Sequence, residues 1–415
     1  MDALRSPVGE RLLAEVAARG TGDDALLGTV AALRARYDPE LVAAAVTQVR
    51  LRVRGRAKFG PDADRMFFTA DGLEQATRAA VAARHAARYA AAGADRLLDL
   101  CCGIGGDLVA FARAGQVVTG VDRDPATAAV ARANLAALGL PGRVRVADAA
   151  VEPGWPAAWV DPSRRAGGRR VFDPRAYSPP LSFVAELAAA VPLTGAKVAP
   201  GVPHEAVSGL ASGAGVPLDI EAEWVSVGGE VKEAALWFGP LATAARRATV
   251  LPAGAGPAAT LVDSGRPGAG SPPVGPPGEW LYEPDGAVIR AGLVGEVVAA
   301  LPGGRLLDPT IAYVAADRPA PTPYARGWRD TDVLPFSVAR LRALLRARGT
   351  GRVTVKKRGS AVDPEVLRRQ LRLAGDGPAA VVVLTRVAGA RTVLVCEPAV
   401  SPAAAAPSPA TPSGR

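Results

Sequence analysis

The chain has 415 residues, of which 49% are hydrophobic and 21% are charged, and its formal net charge is +9. This length allows two or three domains, each with its own core, and the hydrophobic fraction excludes wholesale disorder. Three cysteines are too few for a disulfide framework, no apolar run is long enough to cross a bilayer, and the charged N-terminus excludes a secretory signal, so we expect a cytoplasmic protein without a membrane anchor.

The positive charge comes mainly from arginine, whose planar guanidinium group suits phosphates. One interpretation is a nucleic-acid partner. An equal alternative is the composition of a high-GC genome, which also enriches alanine, glycine and proline. Motifs must therefore decide between them.

Residues 1–95 are predicted to form a helical N-terminal extension, because apolar residues recur there at helical spacing. An alanine-rich helix is expected over 71–92, with Thr69 or Asp71 as its N-cap. His85 lies among arginines and alanines on this helix and is predicted to be exposed.

Residues 96–240 alternate between short apolar runs and helical segments, which predicts an α/β domain with a doubly wound, Rossmann-like parallel sheet. The strands are expected near 96–101, 117–122, 143–147, 157–161 and 195–199. The helices are expected near 106–114, 125–138 and 181–190. A hairpin over 222–227 and 232–238 is expected to close the sheet.

A glycine-rich segment follows the first predicted strand and reads Asp99-Leu100-Cys101-Cys102-Gly103-Ile104-Gly105-Gly106-Asp107. Glycines in such a turn let the backbone approach a ligand without a Cβ clash. Asp122 ends the second strand, where a carboxylate can accept hydrogen bonds from ribose hydroxyl groups. This layout predicts a site for a nucleoside-containing cofactor.

The residues around the glycines favour S-adenosylmethionine over NAD. A dinucleotide site has a third glycine where this chain has Leu108. The carboxylate of Asp99 would repel a pyrophosphate but attract a sulfonium or ammonium cation. Asp148, after the third strand, could accept a hydrogen bond from the adenine amino group. The predicted cofactor contacts are Asp99, Cys102, Gly103, Gly105, Gly106, Asp107, Asp122 and Asp148.

Asp161-Pro162-Ser163-Arg164 follows the fourth predicted strand, at the edge where such sheets bind ligands. The string resembles the [DN]-P-P-[YFW] motif of methyltransferases that act on exocyclic amines of bases. The resemblance implies that Asp161 and the Pro162 carbonyl align the target amine with the methyl group. Ser163 and Arg164 depart from the motif, and a helix-capping turn is the alternative.

Two other chemistries are not expected. The same string resembles the D-P-P-R-x-G motif of uridine C5 methyltransferases, but those enzymes need a later cysteine nucleophile. Here Cys101 and Cys102 lie in the glycine loop and Cys396 lies near the end of the chain. Two separated histidines and no cysteine cluster predict no metal site.

The pattern D-x-x-x-G-x-G-G-D resembles the cofactor loop of class I S-adenosylmethionine-dependent methyltransferases, and most of all the form found in trimethylguanosine synthase relatives. In those relatives an aromatic residue ahead of the preceding helix stacks on the base. The resemblance implies this role for Phe67 or Phe68, and a core contact is an equal alternative.

From about residue 10 to residue 398 the chain resembles actinobacterial class I methyltransferases with a C-terminal THUMP-like domain. The strings that carry this likeness are 282–293 and 353–359. THUMP domains belong to RNA-modifying enzymes, so the resemblance implies an RNA partner, either tRNA or rRNA. Arg165, Lys356, Lys357 and Arg358 are the candidate phosphate contacts, and solvated basic loops are the alternative.

The expected organisation follows from these strings and from composition. It is a helical region (1–95), a methyltransferase domain (96–240), a Gly/Pro-rich linker (241–278), a smaller α+β THUMP-like domain (279–398) and a disordered tail (399–415). The predicted activity is methylation of a base nitrogen in RNA. A small-molecule or protein acceptor and a non-catalytic RNA-binding protein are the alternatives, and the oligomeric state is left open, a monomer included.

Overall fold

The structure is a computed structural model. It describes residues 2–20, 23–166, 169–170, 173–213, 218–254, 256–266, 269–373 and 375–398, except for the side chains of 23–27, 165–166, 169–170, 174 and 211–213. The expected disordered tail, 399–415, lies outside the described residues. The chain divides into two compact units, which are Met1–Ala222 with Ala234–Thr243 and Glu223–Glu233 with Ala244–Arg415.

Six helices open the first unit, as the sequence predicts. They are α1 (Asp2–Arg5), α2 (Pro7–Arg19), α3 (Asp23–Arg34), α4 (Pro39–Phe59), α5 (Ala70–Gln75) and α6 (Ala79–Ala91). Asp38 caps α4 through the amides of Glu40 and Leu41, and the Thr69 hydroxyl caps α5 through the amide of Gly72. The apolar faces of α1 to α5 form one core with the segment that precedes α5, and this core includes Leu12, Val42, Met66 and Phe68.

The single helix expected over 71–92 is wrong, because the structure divides it into α5 and α6. Ala76 adopts an extended conformation, with ψ of 141°. Lys58 Nζ donates to the carbonyl oxygens of Leu73, Glu74 and Ala76 at 2.7, 2.6 and 2.8 Å. These bonds satisfy carbonyl groups that the end of a helix leaves open, and they stabilise the break.

The predicted doubly wound sheet is confirmed in the first unit. Its elements are β1 (Arg96–Leu100), α7 (Gly106–Arg113), β2 (Val117–Asp122), α8 (Pro125–Leu138), β3 (Arg143–Val146), β4 (Ala157–Val160), β5 (Arg165–Ala166), β6 (Arg169–Arg170), α9 (Leu181–Ala190), β7 (Leu193–Val198) and α10 (His204–Gly213). The strands β8 (Ile220–Val227) and β9 (Glu230–Phe238) follow, and each has residues in both units. The strand order β9-β7-β4-β1-β2-β3 is parallel except for β9, which runs antiparallel to β7. The carboxyl ends of β4, β1, β2 and β3 therefore lie side by side.

Aromatic rings fill the core between this sheet and α6. His85 is 2% exposed, and its ring centroid lies 4.3 Å from that of Trp159. The expectation that His85 is exposed is therefore wrong. Its helix carries Val81, Ala82 and Tyr89 on the same buried face, and this face turns the imidazole inward.

The second unit contains a seven-stranded sheet in the order β13-β14-β12-β15-β18-β17-β16. The bounds are β12 (Trp280–Pro284), α11 (Gly286–Arg290), α12 (Val294–Ala300), β13 (Arg305–Asp308), β14 (Ile311–Ala316), β15 (Ala325–Pro335), α13 (Val338–Ala347), β16 (Arg352–Lys357), α14 (Pro364–Leu371), β17 (Ala379–Val387) and β18 (Ala390–Cys396). Leucines of α13 and α14 pack on the sheet against Val382 and Val395. The predicted α+β fold is confirmed here.

The segment expected as a linker, 241–278, contains regular structure. The strands β10 (Arg246–Leu251) and β11 (Ala259–Val262) pair antiparallel within it, with Thr249 opposite Thr260. Both carry β-branched residues, which favour strands, between the glycines and prolines that suggested a linker.

Candidate cofactor and acceptor site

The glycine loop after β1 takes the conformation that its sequence predicts. Gly103 and Gly105 have φ values of +58° and +87°, which L side chains rarely adopt. The amide of Gly105 donates to the carbonyl of Cys102 at 2.9 Å, and α7 begins at Gly106. Cys101 also has a positive φ of 59°, which is strained for a residue with a side chain. Such strain is typical of loops that hold a ligand.

Asp122 is fastened to this loop. Its Oδ2 accepts a hydrogen bond from the amide of Gly103 at 3.0 Å, and its Oδ1 accepts one from the amide of Asp124 at 3.0 Å. Burial raises the pKa of Asp122, while these two amides oppose the rise. The carboxylate is half-buried and has a fixed orientation at the end of β2.

Asp99 differs from the other acids of the site in its burial and in its hydrogen bonding. It is 1% exposed, and within the described part of the chain neither of its carboxylate oxygens has a hydrogen-bond partner. Burial, and then the charges of Asp107, Asp161 and Asp122, raise its pKa well above the ordinary value. A buried carboxylate without a partner is costly unless a ligand compensates it. The ammonium group of a bound S-adenosylmethionine fits this need.

Asp107 lies beside the loop but is engaged by the protein itself. Its Oδ2 accepts from the Thr77 hydroxyl at 2.7 Å, and its Oδ1 lies 2.8 Å from His85 Nδ1. Burial alone would raise the pKa of Asp107, but His85, Lys197 and Thr77 together lower it. Both oxygens have partners within the protein, and these bonds anchor the start of α7.

The two other predicted contacts differ in their surroundings. Asp148 is exposed beyond the end of β3, with its side chain accessible to a ligand. Cys102 is buried, and burial raises the pKa of its thiol, as it raises that of Cys101 to about 12. Both thiols are neutral at physiological pH and are therefore poor nucleophiles.

Asp161 follows β4 at the same edge of the sheet. Its amide donates to the carbonyl of Leu100 at 3.1 Å, and its Oδ2 accepts from Lys197 Nζ at 2.7 Å. The side chain of Asp161 is 26% exposed, whereas that of Lys197 is 5% exposed. One side of the carboxylate is therefore open, and the lysine lies behind it. Burial raises the pKa of Asp161, and Lys197 opposes this.

The rest of the predicted acceptor motif continues along the chain. Pro162 is buried, and Ser163 pairs through its amide and carbonyl with Ser178 at 2.8 and 3.0 Å. Arg164 Nη1 is buried without a hydrogen-bond partner in the described residues. Arg165 has a described backbone in β5, but its side chain lies outside the described residues.

The aromatic pair ahead of α5 belongs to the core. Phe67 is 6% exposed and Phe68 is 1% exposed, and the Phe68 ring centroid lies 5.5 Å from that of Phe59. Asn134 Oδ1 accepts a hydrogen bond from the amide of Phe67 at 2.6 Å, and this bond fixes the segment on α8. The core-contact alternative therefore describes both residues, and neither ring offers a face for stacking.

The three basic residues at the end of β16 and just after it, Lys356, Lys357 and Arg358, differ in their surroundings. Lys356 Nζ lies 2.5 Å from Glu283 Oε2, and Arg358 lies 3.7 Å from Glu283 Oε1. Lys356 also lies 5.4 Å from the centroid of Trp328. Lys357 is exposed.

Sequence reasoning missed three polar residues of the site, which are Lys197, Thr77 and His85. The signal for Lys197 is a single charge in the apolar strand β7, where a buried ammonium needs a partner. Among the described residues, no group of His, Cys, Asp and Glu could hold a metal ion. In the same residues, no helix is long and apolar enough to span a membrane.

Three family models match the chain. Residues 97–159 match a methyltransferase domain, residues 325–398 match a THUMP domain-like family, and residues 1–55 match a domain of unknown function, DUF8688. The first match covers the loop with Asp99 and Asp122. The second covers β15 to β18 of the second unit.

Two relatives, from two strains of Mycobacterium tuberculosis, are named "Uncharacterized S-adenosylmethionine-dependent methyltransferase". Each is 37% identical over 361 residues, which are 84% of this chain and 95% of the relative. A crystal structure from Porphyromonas gingivalis W83, described as a methyltransferase, is similar with a TM-score of 0.70 and 21% identity. That match covers 88% of this chain and 92% of the other, and it shows a shared fold.

Proposed function

The chain belongs to the family of S-adenosylmethionine-dependent methyltransferases, and we propose that it methylates a base nitrogen in RNA, either tRNA or rRNA. The observation that carries the proposal is a pair of acids at one edge of the sheet: the carboxylate of Asp161 is open on one side, and that of Asp99 has no hydrogen-bond partner among the described residues. One acid can hold the cofactor cation, and the other can hold the acceptor.

We assign the cofactor contacts by what each residue can reach. Asp99 orients the ammonium group, Gly103 and Gly105 admit the ligand to the backbone, Asp122 holds the ribose and Asp148 holds the adenine amine. We assign Gly106, which begins α7, and Cys102 as the remaining cofactor contacts of the loop. S-adenosylmethionine supplies a methyl group that is already activated by its sulfonium, so the protein needs no strong base.

Asp161 and the Pro162 carbonyl position the acceptor amine. Each can accept one N–H of an exocyclic NH₂ group, which aligns the nitrogen lone pair. With the cofactor bound, the aligned amine nitrogen would accept the methyl group as the bond from methyl carbon to sulfur breaks with its electron pair left on sulfur, and the surplus proton of the amine would leave to solvent. We assign Arg164, whose Nη1 is buried without a partner in the described residues, as a donor to the same base, with Ser163 as its neighbour in the motif.

Three observations support RNA as the acceptor. The net charge is +9, residues 325–398 match a THUMP domain-like family, and α13 and α14 carry a surface that we term the arginine face. It consists of Arg340, Arg342, Arg346, Arg368, Arg369 and Arg372, and the acids of the same helices and their caps are Asp363 and Glu365. Arg342 and Arg346 donate to the carbonyl groups of Gln370 and Arg372, which joins the two helices into one basic surface. Phosphate groups suit such a surface.

Methyl transfer to RNA tests the proposal. Total RNA from a strain without this gene and from its parent would be incubated with the protein and labelled S-adenosylmethionine. We expect label only in the deletion-strain RNA, since the parent RNA already carries the methyl group. Asp161→Ala should abolish transfer and leave cofactor binding nearly intact. Label in neither RNA, with normal cofactor binding, would indicate a small-molecule or protein acceptor.

A further inference from the structure

A chain of buried polar side chains leads from Asp161 into the core. Lys197 Nζ lies 2.7 Å from Asp161 Oδ2 and 3.0 Å from the hydroxyl of Thr77. Thr77 donates to Asp107 at 2.7 Å, and Asp107 lies 2.8 Å from His85. Among these five side chains, that of Asp161 is partly exposed to solvent. The other four are buried, which are Lys197, Thr77, Asp107 and His85.

Lys197 has no packing reason to be charged. It lies on β7, where the five residues from Thr194 to Val198 are all buried. An ammonium group in such a place is costly unless it is paired and hydrogen-bonded. A leucine or methionine would fill the same space without that cost.

We propose that Lys197 is a positioning residue for methyl transfer, which holds the carboxylate of Asp161 ionised and turned toward the acceptor amine. This inference rests on the proposed role of Asp161. The lysine occupies Oδ2, and in the described part of the chain no donor reaches Oδ1, so Oδ1 is left for the incoming N–H group. A charge-assisted bond of this kind fixes one rotamer of the aspartate.

The charges around Asp161 explain why a cation is needed there. Asp99 on β1 and Asp107 on α7 face it with negative charge, and the Cys101 thiol lies on the same side. Two positive groups oppose these negative charges, which are Lys197 on β7 and the guanidinium of Arg164. Without Lys197, burial and the neighbouring acids would favour the protonated carboxyl, which accepts poorly from an amine.

The N-terminal extension completes this arrangement. Thr77 and the carbonyl of Gln75, at 3.5 Å from Lys197 Nζ, come from the break between α5 and α6. The break therefore lies directly beside Lys197. It links the N-terminal helices to the acceptor side of the site.

The test uses the full chain with Lys197→Met, Asp161→Asn and the double variant, and Lys232→Met as a matched control on β9. We expect Lys197→Met to lower kcat for RNA methylation by about 100-fold, as small displacements at a reacting centre do, with the dissociation constant for the cofactor changed by less than about threefold. In the Asp161→Asn background the same change should matter by less than about threefold, because the two act together. Lys232→Met should leave kcat unchanged.

A second readout does not depend on the acceptor. With ¹³C-labelled aspartate, the carboxyl signal that Asp161→Asn removes reports the titration of Asp161. Lys197→Met should raise its midpoint by about one to three pH units. If RNA is not the acceptor, only the kcat measurement fails, so the two proposals can be told apart.

Several outcomes would overturn the inference. An equal loss of kcat from Lys197→Met in both backgrounds would show that Lys197 acts independently of Asp161. An unchanged titration midpoint would show that it does not keep the carboxylate ionised. If Lys197→Met fails to fold, Thr77→Val retains the lysine but removes its anchor. It should lower kcat about fivefold and raise the midpoint in the same direction, and no change in either would contradict the proposal.

Discussion

The amide of Gly103 donates a 3.0 Å hydrogen bond to the carboxylate of Asp122, 19 residues later in the chain. The bond joins the glycine loop after β1 to the end of β2. The acid proposed to hold the ribose therefore also fixes the backbone proposed to surround the methionine end of the cofactor.

Replacing Asp122 should weaken cofactor binding. Asp122→Ala removes a charge-assisted acceptor for the ribose and releases the amide of Gly103. Since a hydrogen bond to a charged group contributes about 1.5–3 kcal/mol, the dissociation constant for S-adenosylmethionine should rise about 10- to 150-fold by calorimetry. The control is Asp124→Ala, which removes the N-cap of α8 and should lower stability by about 1 kcal/mol without changing affinity. Equal affinity in the two variants would contradict the assignment.

Cofactor affinity should depend on pH through Asp99. The pKa of its carboxyl is raised in the free protein, and a bound ammonium cation favours the ionised form, so binding releases a proton below that pKa. Affinity should therefore rise with pH and level off once Asp99 is ionised in the free protein. Calorimetry in buffers of different ionisation enthalpy measures the proton directly.

Asp99→Asn provides the control for this dependence. The amide cannot ionise, so the variant should bind with lower affinity and without proton release. It should also stabilise the cofactor-free protein at neutral pH, because the raised pKa of Asp99 means that ionisation disfavours the folded state as pH rises. A wild-type affinity that is flat with pH would exclude the cation-holding role.

Gly195 on β7 should not tolerate a side chain. A Cβ there would lie 2.6 Å from the Tyr89 hydroxyl, 2.8 Å from the Trp237 ring and 2.9 Å from the Trp159 ring. Gly195→Ala should lower the free energy of unfolding by about 1–3 kcal/mol through overpacking, as measured by denaturant titration. Gly209→Ala, on α10 with nothing near its Cβ, should be neutral or stabilising. A neutral Gly195→Ala would show that the aromatic core is loosely packed.

Charge reversal on the arginine face should weaken RNA binding in a salt-dependent way. Arg369→Glu should lower affinity and reduce the slope of log affinity against log salt by about 0.7 for each phosphate group that the variant no longer neutralises. Arg329→Glu, an exposed site of the same unit on β15, is the control for net charge. An equal decrease in affinity in the control would mean that net charge alone, and not this surface, attracts RNA.

Apolar periodicity was sufficient to predict the parallel strands of the first unit. The start of α14 also has a local signal, since the Asp363 carboxylate accepts from the amide of Val366. Each of these signals lies within a few residues of its consequence. The break after α5 could not be found in this way, because Lys58 stabilises it from another helix.

The residues of the site also fall into those with a local sequence signal and those whose contacts lie far apart in the chain. The glycine loop, Asp99 and Asp122 form a local motif that the sequence shows directly. The pairing of Lys197 with Asp161 joins residues 36 apart, and its link to Thr77 spans 120 residues. His85 could have been placed in the core from its spacing with Val81 and Tyr89, whereas its partner Asp107 required the fold.

The burial of α6 has a consequence for how the chain is made. Tyr89 donates to the carbonyl of Ala158, 69 residues later, and Arg88 Nε donates to that of Leu241, 153 residues later, at 3.1 Å. During synthesis this helix leaves the ribosome long before the strands that cover it, so its apolar face is exposed for many seconds to other nascent chains. Contacts this distant in sequence also slow folding. We therefore expect the N-terminal helices to need protection by chaperones until the strand ending at Phe238 has emerged.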